Sequence, residues 1–133
     1  MSSYEIETDG IVVRARPAFL EEQSAPDDGR WFWAYTIEIE NLGRDTVQLL
    51  ARHWRITDAN GFAQEVKGDG VIGKQPIIAP GKNFTYTSGC PLSTPSGMMW
   101  GTYQMRRFSD EALFDVAVPA FPLDSPGVKL TVN

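Results

Sequence analysis

A chain of 133 residues, 42% of them hydrophobic and 22% charged, is long enough for one ordinary domain with a real core and too apolar to stay disordered. Its net charge of −5 denies it the positive field that holds a phosphate backbone or an anionic lipid surface, so neither nucleic acid nor membrane is an expected partner. The single cysteine, Cys90, excludes an intrachain disulfide and a cysteine-based metal cluster. The opening MSSYEIETDGIVV has no basic segment leading into an apolar run, and no stretch approaches the ~20 apolar residues of a membrane helix. A cytoplasmic protein is the expectation.

Taken in chain order, the elements are strands. IVVRARPAF sets Ile11, Val13, Ala15 and Phe19 on one side and Arg14 and Arg16 on the other. LEEQSAPDD is acidic, broken by Pro26, and reads as a solvated loop. WFWAYTIEIEN alternates strictly, with Trp31, Trp33, Tyr35, Ile37 and Ile39 on the face expected to meet a core. After the turn NLGRDT, VQLLARHWRITD is less regular: Leu50, Trp54 and Ile56 share one parity, Leu49 and His53 the other. That strand is buried on both sides or carries a bulge, and Trp54 is its natural core anchor. DANG, from Asp58 to Gly61, marks a hairpin turn, and APGK puts Pro80-Gly81 in another. NFTYTSG, MMWGTYQMRR and LFDVAVP alternate again, the last through Phe114, Val116 and Val118. The count is about seven short strands at even spacing, which predicts an all-β sandwich. One domain covers residues 1–133, with its core at about 4–123 and a loosely attached tail at 124–133.

Between two of these strands lies GDGVIGKQP, which matches G-x-G-x-x-G at Gly68, Gly70 and Gly73 and G-x-x-x-x-G-K through Lys74. A dinucleotide site needs a helix after the glycines, and here Pro76 and Pro80 occupy that segment. A Walker loop needs Ser or Thr after the lysine, and here Gln75 follows. Neither nucleotide motif holds in context. What remains is a glycine loop on a β-scaffold, a candidate binding element made of Gly68, Gly70, Val71, Gly73 and Lys74. Its glycines either serve the backbone alone, let a partner approach closely, or form an anion nest. The pair Val71-Ile72 is either buried beneath the loop or offered to a partner.

No catalytic constellation emerges. His53, the lone histidine, sits within a strand and reads as a satisfied, partly buried side chain. SGCPLS is not a nucleophile elbow. Glu21, Glu22, Asp27 and Asp28 form a solvated acidic patch. No catalytic residue, metal site or cofactor is assigned.

Several segments occur together in one order: YTIEIENLG, VQLLARHWRITDANG, EVKGDGVIGKQP, APGKNFTYTSGCPLSTPSGMMWGTYQM and FDVAVPAFPL. As a set they resemble the bacterial ApaG proteins, from about Tyr4 to Leu123. The resemblance implies a fibronectin-type-III-like or immunoglobulin-like sandwich. It implies an association with cobalt resistance and magnesium efflux, and a gene that often neighbours a diadenosine-tetraphosphate hydrolase. It also implies protein binding, the role expected of related domains in eukaryotic F-box proteins and in a DNA-polymerase-delta-interacting protein. Lys74 stands where the family often has Glu, so no shared charge-dependent role is carried over to it. The leading expectation is a non-enzymatic protein-interaction module with an unidentified protein partner. The alternative is a small-ligand binder for phosphate, diadenosine polyphosphate or a divalent cation.

Overall fold

In the computed structural model, residues 3–126 are described, and they form nine strands rather than about seven. These are β1 (Tyr4–Thr8), β2 (Ile11–Phe19), β3 (Trp31–Asn41), β4 (Val47–Asp58), β5 (Ala63–Asp69), β6 (Ile77–Ile78), β7 (Asn83–Leu92), β8 (Ser96–Arg107) and β9 (Leu113–Asp124). One antiparallel sheet runs β1-β2-β3-β7. The other runs β5-β4-β8-β9, with β6 also paired to β4. The all-β sandwich is therefore as the alternation predicts. The acidic segment forms only two single 3-10 turns, Glu21–Gln23 and Pro26–Asp28, with no buried residue.

Of the strands added to those named in the sequence, β1 and β6 have local causes. Asp9 and Gly10 both take positive φ (49° and 85°), and Thr8 pairs with Ile11 across them. That is the two-residue turn whose twist matches antiparallel strands, and it folds the N-terminal residues back as β1. β6 is two residues long and exists because Val47 and Gln48 leave ladder positions open beyond the end of β5.

The core is the inner faces of both sheets. Trp33, Tyr35, Ile37 and Ile39 are buried on β3, as their parity requires. On β4 the pairing with β8 slips between Leu49 and Ala51, so Leu50 is the extra residue of a bulge. The buried positions change from odd (Val47, Leu49) to even (Trp54, Ile56) across it. β9 does the same against β8, where Met99 and Gly101 face Phe121 and Val118, and burial moves from Val116 and Val118 to Phe121 and Leu123. Trp54 is 2% exposed, with Tyr35, Tyr103 and Phe121 set against it at steep ring angles. Such tilted contacts suit the ring quadrupoles.

The two long sides of the sandwich differ. On one, β9 packs against β1 and β2, and the Trp33 indole donates to the Asp124 carbonyl at 2.7 Å. Asp124 thus ends β9 rather than starting a loose tail, Ser125 is buried, and residues 127–133 lie outside the described part. On the other side, β7 and β5 are the sheet edges, and among the described residues no strand pairs with the outer edge of either.

Candidate functional site

The glycine loop is a corner joining β5 to β6. Val71 and Lys74 exchange backbone hydrogen bonds of 2.8 and 2.9 Å. Ile72 and Gly73 between them both have positive φ, 44° and 76°. Two positive-φ residues make a primed turn, for which Asn-Gly is the favoured pair; a β-branched residue in its first position is strained. The strain is compensated one residue earlier. Val71 is 1% exposed, and Gly70 N–H donates to the Leu50 carbonyl at 2.8 Å. Val71 is thus an anchor beneath the loop and is not offered to a partner. Ile72 is the exposed member of the pair, at 51%. Lys74 is exposed as well.

Gly68 and Gly70 have separate reasons to be glycine. Gly70 has φ +66°, and a Cβ there would land on the Lys74 carbonyl group. Gly68 is needed by its neighbour across the ladder. An added Cβ would lie 2.8 and 2.9 Å from the two terminal guanidinium nitrogens of Arg52, which rests on the bare backbone. Arg52 Nη1 donates to the Asp69 and Gly70 carbonyls at 3.1 and 3.0 Å. One arginine therefore ties the end of β5 to the corner of the loop.

Arg52 points between the sheets, because the ladder runs unbroken from Ala51 to Asp58 and simple alternation puts it on the same side of β4 as Trp54 and Ile56. There it lines a cavity of about 240 Å³ in the open seam, with Tyr35, Trp54, Val66, Ser88 and Met99 among its walls. A second hollow of about 220 Å³ continues it toward Phe62 and Leu92, and Ile56, Gln64 and Pro91 border both. Deeper in, the Tyr86 and Tyr103 hydroxyls meet at 2.6 Å and bridge the two sheets. Burial pushes the ionisation of Tyr35, Tyr86 and Tyr103 upward, and the charge of Arg52 works against that in all three. Burial also pushes the Cys90 thiol up to about 11.

The outer face of the second sheet carries a shallower, polar depression of about 460 Å³ over the small side chain of Ala51, bordered by His53, Lys67, Thr102, Gln104 and Asp115. His53 is half-buried and hydrogen-bonded to Glu65 at 2.7 Å, and Arg55 lies 3.5 Å from the same carboxylate. The His53 contact holds the Glu65 carboxyl below the usual carboxylate range. On the other sheet, Arg14 meets Glu5, Glu38 and Glu40 at 2.8, 3.3 and 2.9 Å. Among the described residues no three His, Cys, Asp or Glu side chains converge to hold a metal ion, and no helix is long and apolar enough to cross a membrane.

The structure thus brings Gly68, Gly70 and Lys74 together at one corner, separates Val71 from them as core, and adds residues that the sequence did not single out. Arg52, Val66 and Phe62 carry the seam. Arg52 shares the parity of Trp54 and Ile56, so alternation gives its direction, but its contacts with the Asp69 and Gly70 carbonyls are not local in sequence.

The ApaG domain profile matches residues 21–107. Protein ApaG of Methylobacterium sp. (strain 4-46) is 57% identical over 130 residues, spanning 98% of this chain and 99% of that protein. Protein ApaG of Bradyrhizobium sp. (strain ORS 278) is 56% identical over the same length and shares. The solved structure of the putative ApaA protein from Bordetella pertussis superposes with a TM-score of 0.85 at 41% identity, covering 94% of this chain and 99% of that one. With the profile, the relatives and the sandwich in agreement, the chain belongs to the ApaG family.

Proposed function

We infer that this chain is a cytoplasmic, non-enzymatic protein-interaction module, and that any link to cobalt resistance or magnesium efflux runs through a protein held on its open side. One observation carries the reading. Four apolar side chains are exposed along the β5–β6 edge: Phe62 (77%) and Val66 (39%) on the side of the seam, Ile72 (51%) at the corner and Ile77 (59%) on the outer side. Apolar residues lined up on an unpaired sheet edge form an adhesive surface that chains without a partner tend to blunt. The glycine corner sits in the middle of this edge and carries Lys74. Support for a small-ligand role is weaker at that corner. The N–H groups of Gly70, Val71 and Lys74 already donate to carbonyls of the chain, so they do not form an open anion nest.

The test is capture of partners from native cell extract by the wild-type protein and by folded Phe62→Ser, Ile72→Ser and Lys74→Glu variants. A partner retained by the wild type and lost from these variants is the expected result. Calorimetry with ATP, diadenosine tetraphosphate, Mg²⁺ and Co²⁺ runs beside it. Saturable heat at micromolar concentrations would replace the protein-binding reading with the small-ligand one.

A further inference from the structure

The seam holds a charge that the chain does not neutralise. Arg52 spends Nη1 on two neutral carbonyls. Among the described residues its Nε and Nη2 have no hydrogen-bond partner, and no carboxylate stands at ion-pair distance, whereas Arg14 meets three. Nε and Nη2 form the side-on edge of the guanidinium, the edge that takes a carboxylate with two parallel hydrogen bonds. The surroundings would strengthen such a pair. Tyr35, Trp54, Val66 and Met99 wall the cavity, and apolar walls lower the local dielectric. At about 240 Å³ the space suits one side chain rather than a whole cofactor.

The groove also has a direction. Along the inner side of β5, Gly68 stands opposite Arg52, Val66 opposite Trp54, and Gln64 opposite Ile56. Its cationic end is at the glycine corner and its apolar end is at Phe62 and Leu92. Beside it runs the free edge of β5, where every residue except Gly68 is exposed. An exposed edge offers backbone hydrogen bonds to an added strand, and pockets at alternate positions select its side chains.

We propose that this groove takes an extended acidic segment of a protein partner. The segment adds antiparallel to β5 and sets an Asp or Glu carboxylate on the Nε–Nη2 edge of Arg52. Apolar side chains two and four residues further on lie over Val66 and toward Phe62. The proposal rests on the interaction-module reading and names the occupant of that module.

A blocked peptide, acetyl-Glu-Thr-Val-Thr-Val-amide, places the acid and the two valines at this spacing; its Gln counterpart removes only the charge. Titrations followed by amide NMR should show the Glu peptide moving Gln64–Asp69, Ser88–Cys90 and the Arg52 Nε–H, with saturation at millimolar concentration or below. The Gln peptide should bind about tenfold more weakly, as expected for losing a charge-assisted pair. Arg52→Gln should erase that difference. Because Arg52 also holds the loop corner, Val66→Glu supplies an independent check: at a partly exposed position it leaves the fold intact, puts a carboxylate into the groove, and should abolish Glu-peptide binding. Absence of saturation, equal affinity for the two peptides, or shifts confined to His53 and Thr102 on the outer face would overturn the proposal. So would stronger binding by a peptide whose only carboxylate is its C-terminus. A captured partner that binds Val66→Glu as well as wild type would remove this groove while leaving the interaction module standing. Failure to capture any partner, with the peptide results as expected, would do the reverse.

Discussion

Gly70 and Gly73 lie three residues apart with nearly the same φ, +66° and +76°, yet the structure gives alanine very different costs at the two. At Gly73 an added Cβ meets nothing within 4 Å. Only the left-handed conformation resists it, about 1–2 kcal/mol, partly offset by the smaller unfolded-state entropy of alanine. At Gly70 the same conformational cost applies, and the Cβ also lands on the Lys74 carbonyl, whose carbon would be 3.0 Å away. That carbonyl cannot move freely, because it accepts the Val71 N–H at 2.8 Å and Lys74 returns a second bond at 2.9 Å. Displacing it weakens both bonds, each contributing about 1 kcal/mol. Gly70→Ala should therefore cost about 3 kcal/mol and Gly73→Ala about 1 kcal/mol by the same additions. Urea melts with unchanged m-values measure the difference. Equal losses at the two positions would refute the corner geometry, because they would leave φ alone as the cause.

Three further outcomes follow from the core. Trp54→Ala should cost about 3–5 kcal/mol in the same melts, as a buried indole leaves a cavity that closes only partly; a loss under about 1 kcal/mol would mean the indole is not packed as described. Tyr86→Phe and Tyr103→Phe should each cost about 1–3 kcal/mol by stranding the other hydroxyl, and the double variant should cost less than the sum of the two; strict additivity would exclude the 2.6 Å bond. With its ordinary value of 9.0 raised to about 11 by burial, Cys90 favours the folded state while both forms stay protonated. Its contribution is complete below pH 9.0 and lost as pH rises to about 11, and Cys90→Ala should flatten the alkaline limb of a stability–pH curve.

The sandwich was legible wherever one face of a strand is buried and the other is wet. The Trp31–Asn41 strand and the Asn83–Leu92 strand show their parity directly, and the irregular Val47–Asp58 strand betrays its bulge by switching parity at Leu50. β5 was illegible for the opposite reason. AQEVKGD is exposed on nearly every residue, so burial imposes no alternation on it. β1 has a readable mark in Asp9-Gly10, the pair that makes its turn. At the candidate site, the glycines were visible as residue types, but their causes are non-local: Gly68 answers to Arg52 across a ladder, and Arg52 in turn is held by the Asp69 and Gly70 carbonyls. No spacing rule carries such information.

The closed side of the sandwich has a consequence for the order in which the protein is made. β1 and β2 leave the ribosome well before β9, which packs against both. Until then the inner face of the first sheet, with Ile11, Val13, Ile37 and Ile39, has no cover on that side. The Trp33 indole waits for the Asp124 carbonyl across 91 positions of chain. Stabilising contacts of such long sequence separation are slow to form and leave apolar surface open in the interval. Nascent chains halted before Phe121 should therefore stay protease-sensitive and bind chaperones. Chains extended past Ser125 and clear of the exit tunnel should become resistant in one step, with β1 and β2 protected together.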